Sequence, residues 1–159
     1  MKKYPKLEVR TSKIHRKGVF AVQPIKKNER IIEYTGKKMT AAQVDRSRSD
    51  YIFTLSKHVF IDGKNTARYI NHSCAPNCEA EIKGGHIWIN AIRDIKVGEE
   101  LAYNYSFDLK ESKDYPCGCR ARRCAGFILD ETLWPKLKKS EKRERQLAQE
   151  KFRSKLAVR

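Results

Sequence analysis

Three thiols fall within eight residues in Cys117-Gly118-Cys119-Arg120-Ala121-Arg122-Arg123-Cys124. Small and basic residues separate them, an arrangement suited to wrapping one soft ion while nearby arginines favour the thiolate form. Zinc prefers four tetrahedral ligands, so a fourth donor must come from elsewhere, and Cys74 and Cys78 both qualify. The spacing is not the two-residue gap of a thioredoxin-like redox pair. A second dense segment, Arg68-Tyr69-Ile70-Asn71-His72-Ser73-Cys74-Ala75-Pro76-Asn77-Cys78, combines amide, imidazole, hydroxyl and thiol groups. Such side chains satisfy an irregular backbone, so the segment reads as a loop rather than a strand. A third, Gly98-Glu99-Glu100-Leu101-Ala102-Tyr103-Asn104-Tyr105, places tyrosines two apart, on one side of an extended chain. Two rings with hydroxyl tips can line a narrow apolar channel or simply pack as core tyrosines.

Positioning these groups requires a scaffold. Residues 7–110 read as short apolar or alternating runs bounded by turn residues. The strand-like runs are 19–22, 30–34, 51–55, 59–61, 86–90 and 100–103. A mostly-β domain of several small sheets is the expectation. Only Thr40–Arg48 looks helical there, with Thr40 as N-cap. Residues 21–31 and 91–101 echo one another position by position, as two strand-turn-strand units. Asn28 stands where Gly98 stands, as expected if both sites need a left-handed backbone.

The 159 residues suit one domain with an appendage, and 40% hydrophobic content is enough for a modest core. No apolar run approaches the roughly 20 residues that span a bilayer, and no apolar stretch follows the N-terminal lysines. An intracellular, soluble protein, cytoplasmic or nucleus- or nucleoid-associated, is expected. Five cysteines, an odd number, argue for thiolate chemistry or metal over a disulfide framework. The net charge of +16 favours polyanions, so contact with nucleic acid or a nucleoprotein is a candidate property. Residues 136–159 hold ten Lys and Arg against three Glu, with a thin stripe of Ala148, Phe152 and Leu156. They read as a basic helical or partly disordered tail.

Taken in order, KGVFA (17–21), EYTG (33–36), YIFTL (51–55), RYINHSCAPNC (68–78), GEELAYNY (98–105) and CGCRARRC (117–124) resemble the SET-domain protein-lysine methyltransferases that carry a post-SET zinc motif. The length suits a small standalone member. The resemblance implies a β-clip-like SET fold of short sheets with few short helices, in which two segments cross in a pseudoknot-like manner to build the active site. It implies a SET domain over 7–110, a post-SET zinc segment over 111–130 and the basic tail over 131–159. Lys17, Gly18, Arg68, Asn71, His72 and Phe127 would hold or support S-adenosylmethionine, and Ile128 would pack beside the channel. Tyr105 is the implied catalytic tyrosine. Tyr51 would line the lysine channel, and Tyr103 occupies a position where the family chooses between phenylalanine and tyrosine. Cys74, Cys117, Cys119 and Cys124 become the implied ligands of a structural Zn2+, leaving Cys78 as a buried thiol.

The function so implied is methyl transfer from S-adenosylmethionine to a lysine of a histone-like or other basic protein, with monomethylation as the main product. One departure stands out: the family's Gly-x-Gly cofactor loop reads Arg16-Lys17-Gly18, so Arg16 occupies a position that strains if it requires positive φ. Two other classes compete, a catalytically silent SET module and a zinc-bearing nucleic-acid-binding module; binding of the methyl donor separates them from the enzyme.

Overall fold

A computed structural model describes residues 4–137. Residues 138–159, most of the expected basic tail, lie outside the described residues. The chain forms β1 (Leu7–Thr11), β2 (Lys17–Ala21), β3 (Arg30–Glu33), β4 (Gly36–Met39), α1 (Ala41–Val44), β5 (Ile52–Ser56) and β6 (Val59–Gly63). After a 3-10 turn at Thr66–Tyr69 come β7 (Asn71–His72), β8 (Cys78–Lys83), β9 (His86–Ala91) and β10 (Glu100–Tyr103). They assemble into three small sheets, ordered β1-β2-β10-β7, β3-β9-β8 and β4-β6-β5. This is the mainly β architecture with few short helices that the sequence pointed to.

Alternation dictates the sheet faces. In β9, Ile87, Ile89 and Ala91 are buried while His86, Trp88 and Asn90 look outward. The inward residues join Val19, Ile31, Ile61, Ile70 and Leu101 in one core. Trp88 does not face water bare, since Arg30 lies over its ring at 4.2 Å.

The two echoed segments meet around a local pseudo-two-fold. Ile25 and Ile95 exchange both backbone hydrogen bonds, at 3.0 and 2.9 Å. Asn28 N–H donates to Ala91 O at 2.8 Å, and Gly98 N–H donates to Ala21 O at 2.7 Å. Glu29 and Glu99 each accept the backbone N–H three residues earlier, at Lys26 and Lys96. Asn28 has φ 66° and Gly98 φ 78°, the left-handed backbone anticipated for both turns. The repeat is therefore one turn design used twice, and its second copy delivers the chain into β10.

Three departures from the sequence reading have physical causes. Asn71-His72 was expected in a loop but forms β7, because β10 offers a parallel edge that satisfies its backbone. Strands β1, β4 and β8 were not anticipated. β4 (Gly36-Lys37-Lys38-Met39) shows no apolar alternation. In β1 and β8 the alternation of Leu7 and Val9, or Cys78, Ala80 and Ile82, is diluted by charged neighbours, so pairing with β6, β2 and β9 supplies the drive. The helix after Thr40 spans only Ala41–Val44. Gln43 Oε1 accepts from Thr40 N–H at 2.9 Å, but the helix buries no residue, so nothing extends it through Asp45 and Arg48.

Candidate active site

The site is built where β7 runs parallel to β10, with Asn71 opposite Ala102 and His72 opposite Tyr103. The chain continues the crossing beyond the strands: Ser73 N–H donates to Tyr103 O at 3.1 Å and Asn77 N–H to Ala102 O at 3.1 Å. The Asn77 side chain closes it, accepting from Ala102 N–H at 2.9 Å and donating to Glu100 O at 2.8 Å. Two segments distant in sequence are thereby locked through each other.

Asn71 organises the side facing residues 12–17. Its Nδ2 lies 2.8 Å from Lys17 O, 2.9 Å from Glu100 Oε1, 3.2 Å from Ser12 Oγ and 3.4 Å from His15 O. With two hydrogens it serves two of these acceptors at a time. Ser12 Oγ donates to Glu100 Oε1 at 2.7 Å and accepts from Ile14 N–H at 2.9 Å. The Glu100 carboxylate sits where a Cβ on Gly18 would have to go. A Cβ there would fit only if the carboxylate left Ser12 and Asn71. Arg16 adopts φ 41°, so the position that lacks the family's glycine does carry left-handed strain, costing about 1–2 kcal/mol.

On the other side the aromatic residues gather. Tyr103 and Tyr105 lie with ring centroids 4.8 Å apart, and Phe53 packs 6.2 Å from Tyr103. Phe107 continues the row at 5.9 Å from Tyr105, and Tyr115 at 5.0 Å from Phe107. Tyr105 Oη donates to Ile70 O at 2.8 Å, which fixes the hydroxyl with its lone pairs still available. Burial raises the phenols of Tyr103 and Tyr105 well above the usual tyrosine range, so both stay neutral.

Tyr51 stands with Tyr69, edge to face at 5.6 Å, and the Arg68 guanidinium lies over both rings, at 4.4 and 4.7 Å. Arg68 Nε is buried and has no hydrogen-bond partner among the described residues. Lys17 Nζ lies 5.4 Å from the Tyr69 ring. An unmet guanidinium donor beside aromatic rings fits a ligand that brings a carboxylate, as the amino-acid end of S-adenosylmethionine does.

His72 is used within the protein. Its Nδ1 accepts from Tyr105 N–H at 3.2 Å, so Nε2 carries the proton and points at Cys74 Sγ, 3.5 Å away. Burial lowers its pKa to about 4, which keeps the ring neutral.

The sulfur atoms of Cys74, Cys117, Cys119 and Cys124 lie within 4.8 Å of one another. Cys74 Sγ is 3.8 Å from both Cys117 Sγ and Cys124 Sγ. Tetrahedral ligands at the zinc–sulfur distance of about 2.3 Å would be about 3.8 Å apart, so this donor set fits zinc. Backbone N–H groups already face the sulfurs, from Cys74 to Cys119 at 3.5 Å and from Gly126 to Cys124 at 3.3 Å. Burial pushes the Cys74 thiol up to about 11. Burial also opposes ionisation of Cys119, but backbone N–H groups of Cys74 and Ala121 bring it down to about 7. Cys78 is outside the cluster, buried and directed at Asn77 Oδ1, 3.3 Å away.

Most residues singled out in the sequence therefore converge. Phe127 is half-buried, and its backbone bridges to Pro116 rather than its ring joining the tyrosine row. Three residues were missed. Tyr34 donates to Tyr51 O at 2.7 Å and packs on Phe53 at 5.4 Å, fixing the start of β5. Glu100 anchors Ser12 and Asn71, and Phe107 extends the aromatic row. Tyr34 and Glu100 lay inside the motifs EYTG and GEEL, but no spacing rule gives their partners.

Gly18→Ala should force Glu100 away from Asn71 and Ser12 and destabilise the fold by about 1–3 kcal/mol. Denaturant unfolding checks this; unchanged stability would show that the carboxylate can leave freely.

Known proteins are similar to this chain in sequence. The alignments to three histone-lysine N-methyltransferases cover 74% of this chain. A relative from Schizosaccharomyces pombe called H3 lysine-4 specific is 40% identical over 133 residues, and one from Aspergillus oryzae with the same name is 38% identical over 135. The trithorax protein of Drosophila virilis is 34% identical over 132 residues. All are much longer: the matched regions amount to 14%, 11% and 3% of their lengths. Residues 16–106 match the SET domain family, a stretch that contains the whole crossing from the 12–17 loop's end to Tyr105. The chain belongs to the SET-domain family.

Proposed function

We propose that this chain is an S-adenosylmethionine-dependent protein-lysine N-methyltransferase acting on a histone-like or other basic protein, with monomethyl-lysine as the main product. The observation that carries the reading is the neutral Tyr103–Tyr105 pair, set at the crossing beside the unmet Arg68 donor. The names of the relatives, and the SET match, support the same reaction.

S-adenosylmethionine, when bound, supplies an electrophilic methyl group on a sulfonium. Lys17, Gly18, Arg68, Asn71, His72 and Phe127 are the residues assigned to hold it. Arg68 Nε offers a donor for the carboxylate, while the Cβ position of Gly18 is taken by the Glu100 carboxylate that braces the loop. His72 contributes through its backbone, because both ring nitrogens are engaged within the protein.

The chain's main tasks are to deprotonate and align the lysine. Presenting a neutral lysine at pH 7 costs about 4.6 kcal/mol from its ordinary pKa of about 10.4. A channel of Tyr51, Tyr103 and Tyr105 disfavours the ammonium by desolvation. The raised phenols are poor bases at neutral pH, so the proton leaves to water rather than to a side chain. Tyr105 Oη spends its hydrogen on Ile70 O and keeps lone pairs to orient the amine and accept weak C–H contacts from the methyl. Tyr105→Phe should therefore cut turnover by about a hundredfold or more while the methyl donor still binds, as read by calorimetry and labelled-methyl transfer. Near-normal turnover would remove Tyr105 from the mechanism.

Product state follows from Tyr103. Its hydroxyl occupies room that a second or third methyl group would need, or holds a water there. Tyr103→Phe should shift products from mono- towards di- and trimethyl-lysine, visible by mass spectrometry of a peptide substrate. Trimethyl-lysine as the wild type's first dominant product would contradict this assignment.

The segment 111–130 is assigned as a post-SET unit, with zinc held by Cys74, Cys117, Cys119 and Cys124. Four thiolates leave no open coordination position, so the metal's role is structural. It would tie the Cys117–Cys124 loop to the Asn71–Cys74 segment at the edge of the site. Purified protein should contain one equivalent of zinc, and chelation should loosen this segment and end turnover. Metal analysis below half an equivalent in active protein would sink the assignment. Contact with nucleic acid or nucleoprotein, expected from the net charge, belongs to the same proposal in its coarse form.

A further inference from the structure

Two loops about a hundred residues apart in sequence meet beside the crossing, and both are basic. Residues 12–17 carry Lys13, His15, Arg16 and Lys17, and residues 117–124 carry Arg120, Arg122 and Arg123. The loops touch directly: a Cβ on Gly118 would lie 2.8 Å from Ile14 O. Each is anchored to the same short segment, the first through Asn71 Nδ2 to Lys17 O, the second through Cys74 N–H to Cys119 Sγ. All seven basic side chains belong to exposed residues. Neither loop contains Asp or Glu, and none of the seven forms an ion pair among the described residues. Glu100, the carboxylate that contacts the first loop, is turned inward to Ser12 and Asn71. Lys17 is partly committed to Tyr69, leaving the others facing water.

Arginine also appears where the backbone least favours it. Arg16 and Arg120 have φ 41° and 55°, whereas comparable left-handed positions at 28 and 98 hold Asn and Gly. Each costs about 1–2 kcal/mol against glycine, a strain typical of sites under functional constraint.

We infer that these loops form one docking face for the phosphate backbone of double-stranded nucleic acid. Arginine and lysine without carboxylate neighbours complement a regular row of phosphates and release its counterions on binding. The loops hold no Phe, Tyr or Trp, so they offer no stacking platform for unpaired bases. The contacts are to phosphates and not to base edges, so binding is independent of sequence. The face includes Arg16 and Lys17 of the loop assigned to the methyl donor. Duplex bound here would hold a basic, nucleic-acid-bound substrate near the site without touching the reacting atoms. The docking face stands whether or not the methyl-transfer reading holds.

The test is anisotropy of a labelled random-sequence DNA duplex, with the full chain throughout so that residues 138–159 contribute equally to every sample. Lys13→Gln/Arg122→Gln/Arg123→Gln removes three charges from the face. Lys27→Gln/Lys83→Gln/Lys96→Gln removes three from elsewhere, two at turns and one at the end of β8. The first should weaken binding by about tenfold or more and lower the salt slope by about 2–3, while the second changes affinity by less than about twofold. Arg122→Lys/Arg123→Lys, which keeps the charge and the fold, should bind like wild type; a large loss there would overturn a simple phosphate contact. Equal losses in both triple variants would show diffuse charge only and overturn the face. So would no binding of duplex by the wild type at low salt, or equal affinity for single-stranded RNA. Methyl-donor calorimetry on each variant reads the catalytic site separately.

Discussion

Everything in this molecule depends on a parallel contact only two residues long. Asn71-His72 beside Ala102-Tyr103 is too short to persist alone, since parallel pairing is weaker per residue than antiparallel and closes a long connection. It holds because side chains supply the bonds that a longer strand would make in backbone. Asn77 fills both a donor and an acceptor of the β10 backbone, and Asn71 and Glu100 tie down the 12–17 loop. Each buried amide is satisfied at the crossing, and losing any one leaves its partner unpaired at a cost of about 1–3 kcal/mol.

That contact also explains why so many polar residues sit in the interior of a small domain. Asn71, His72, Ser73 and Asn77 are all buried. His72 shows the economy: one neutral ring accepts from the Tyr105 backbone and faces the Cys74 sulfur, joining the tyrosine row to the thiol cluster. The aromatic side and the cysteine side of the site are coupled through a single imidazole. Its low pKa keeps it neutral, so the link does not titrate in the physiological range.

The pseudo-symmetric turns prepare this geometry. Ile25 and Ile95 pair across the local two-fold, and the second unit ends in Glu99-Glu100. Glu99 serves the turn by accepting from Lys96 N–H, while Glu100, one residue on, faces the crossing. Glu99 also accepts from Asn77 Nδ2 at 3.2 Å, so both adjacent acids support the crossing, one from the turn and one from the strand.

The sequence by itself determined the chemistry available. The thiol triplet was legible as a donor set for one metal ion, and the order of motifs carried the family. The paired left-handed turns at Asn28 and Gly98 were legible too, because conformational preference there is a property of single residues. What only tertiary structure decided were relations between distant segments. No local rule turns Asn71-His72 into a strand, since its partner lies thirty residues on and supplies the hydrogen bonds. Cys74 rather than Cys78 joins the sulfur cluster because of where the crossing points each side chain, not because of spacing. Tyr34 and Glu100 escaped notice for the same reason: their roles reside in Tyr51, Asn71 and Ser12. Residue type fixes what a group can do, but desolvation and partnership, which set pKa and orientation, exist only once the chain has closed on itself.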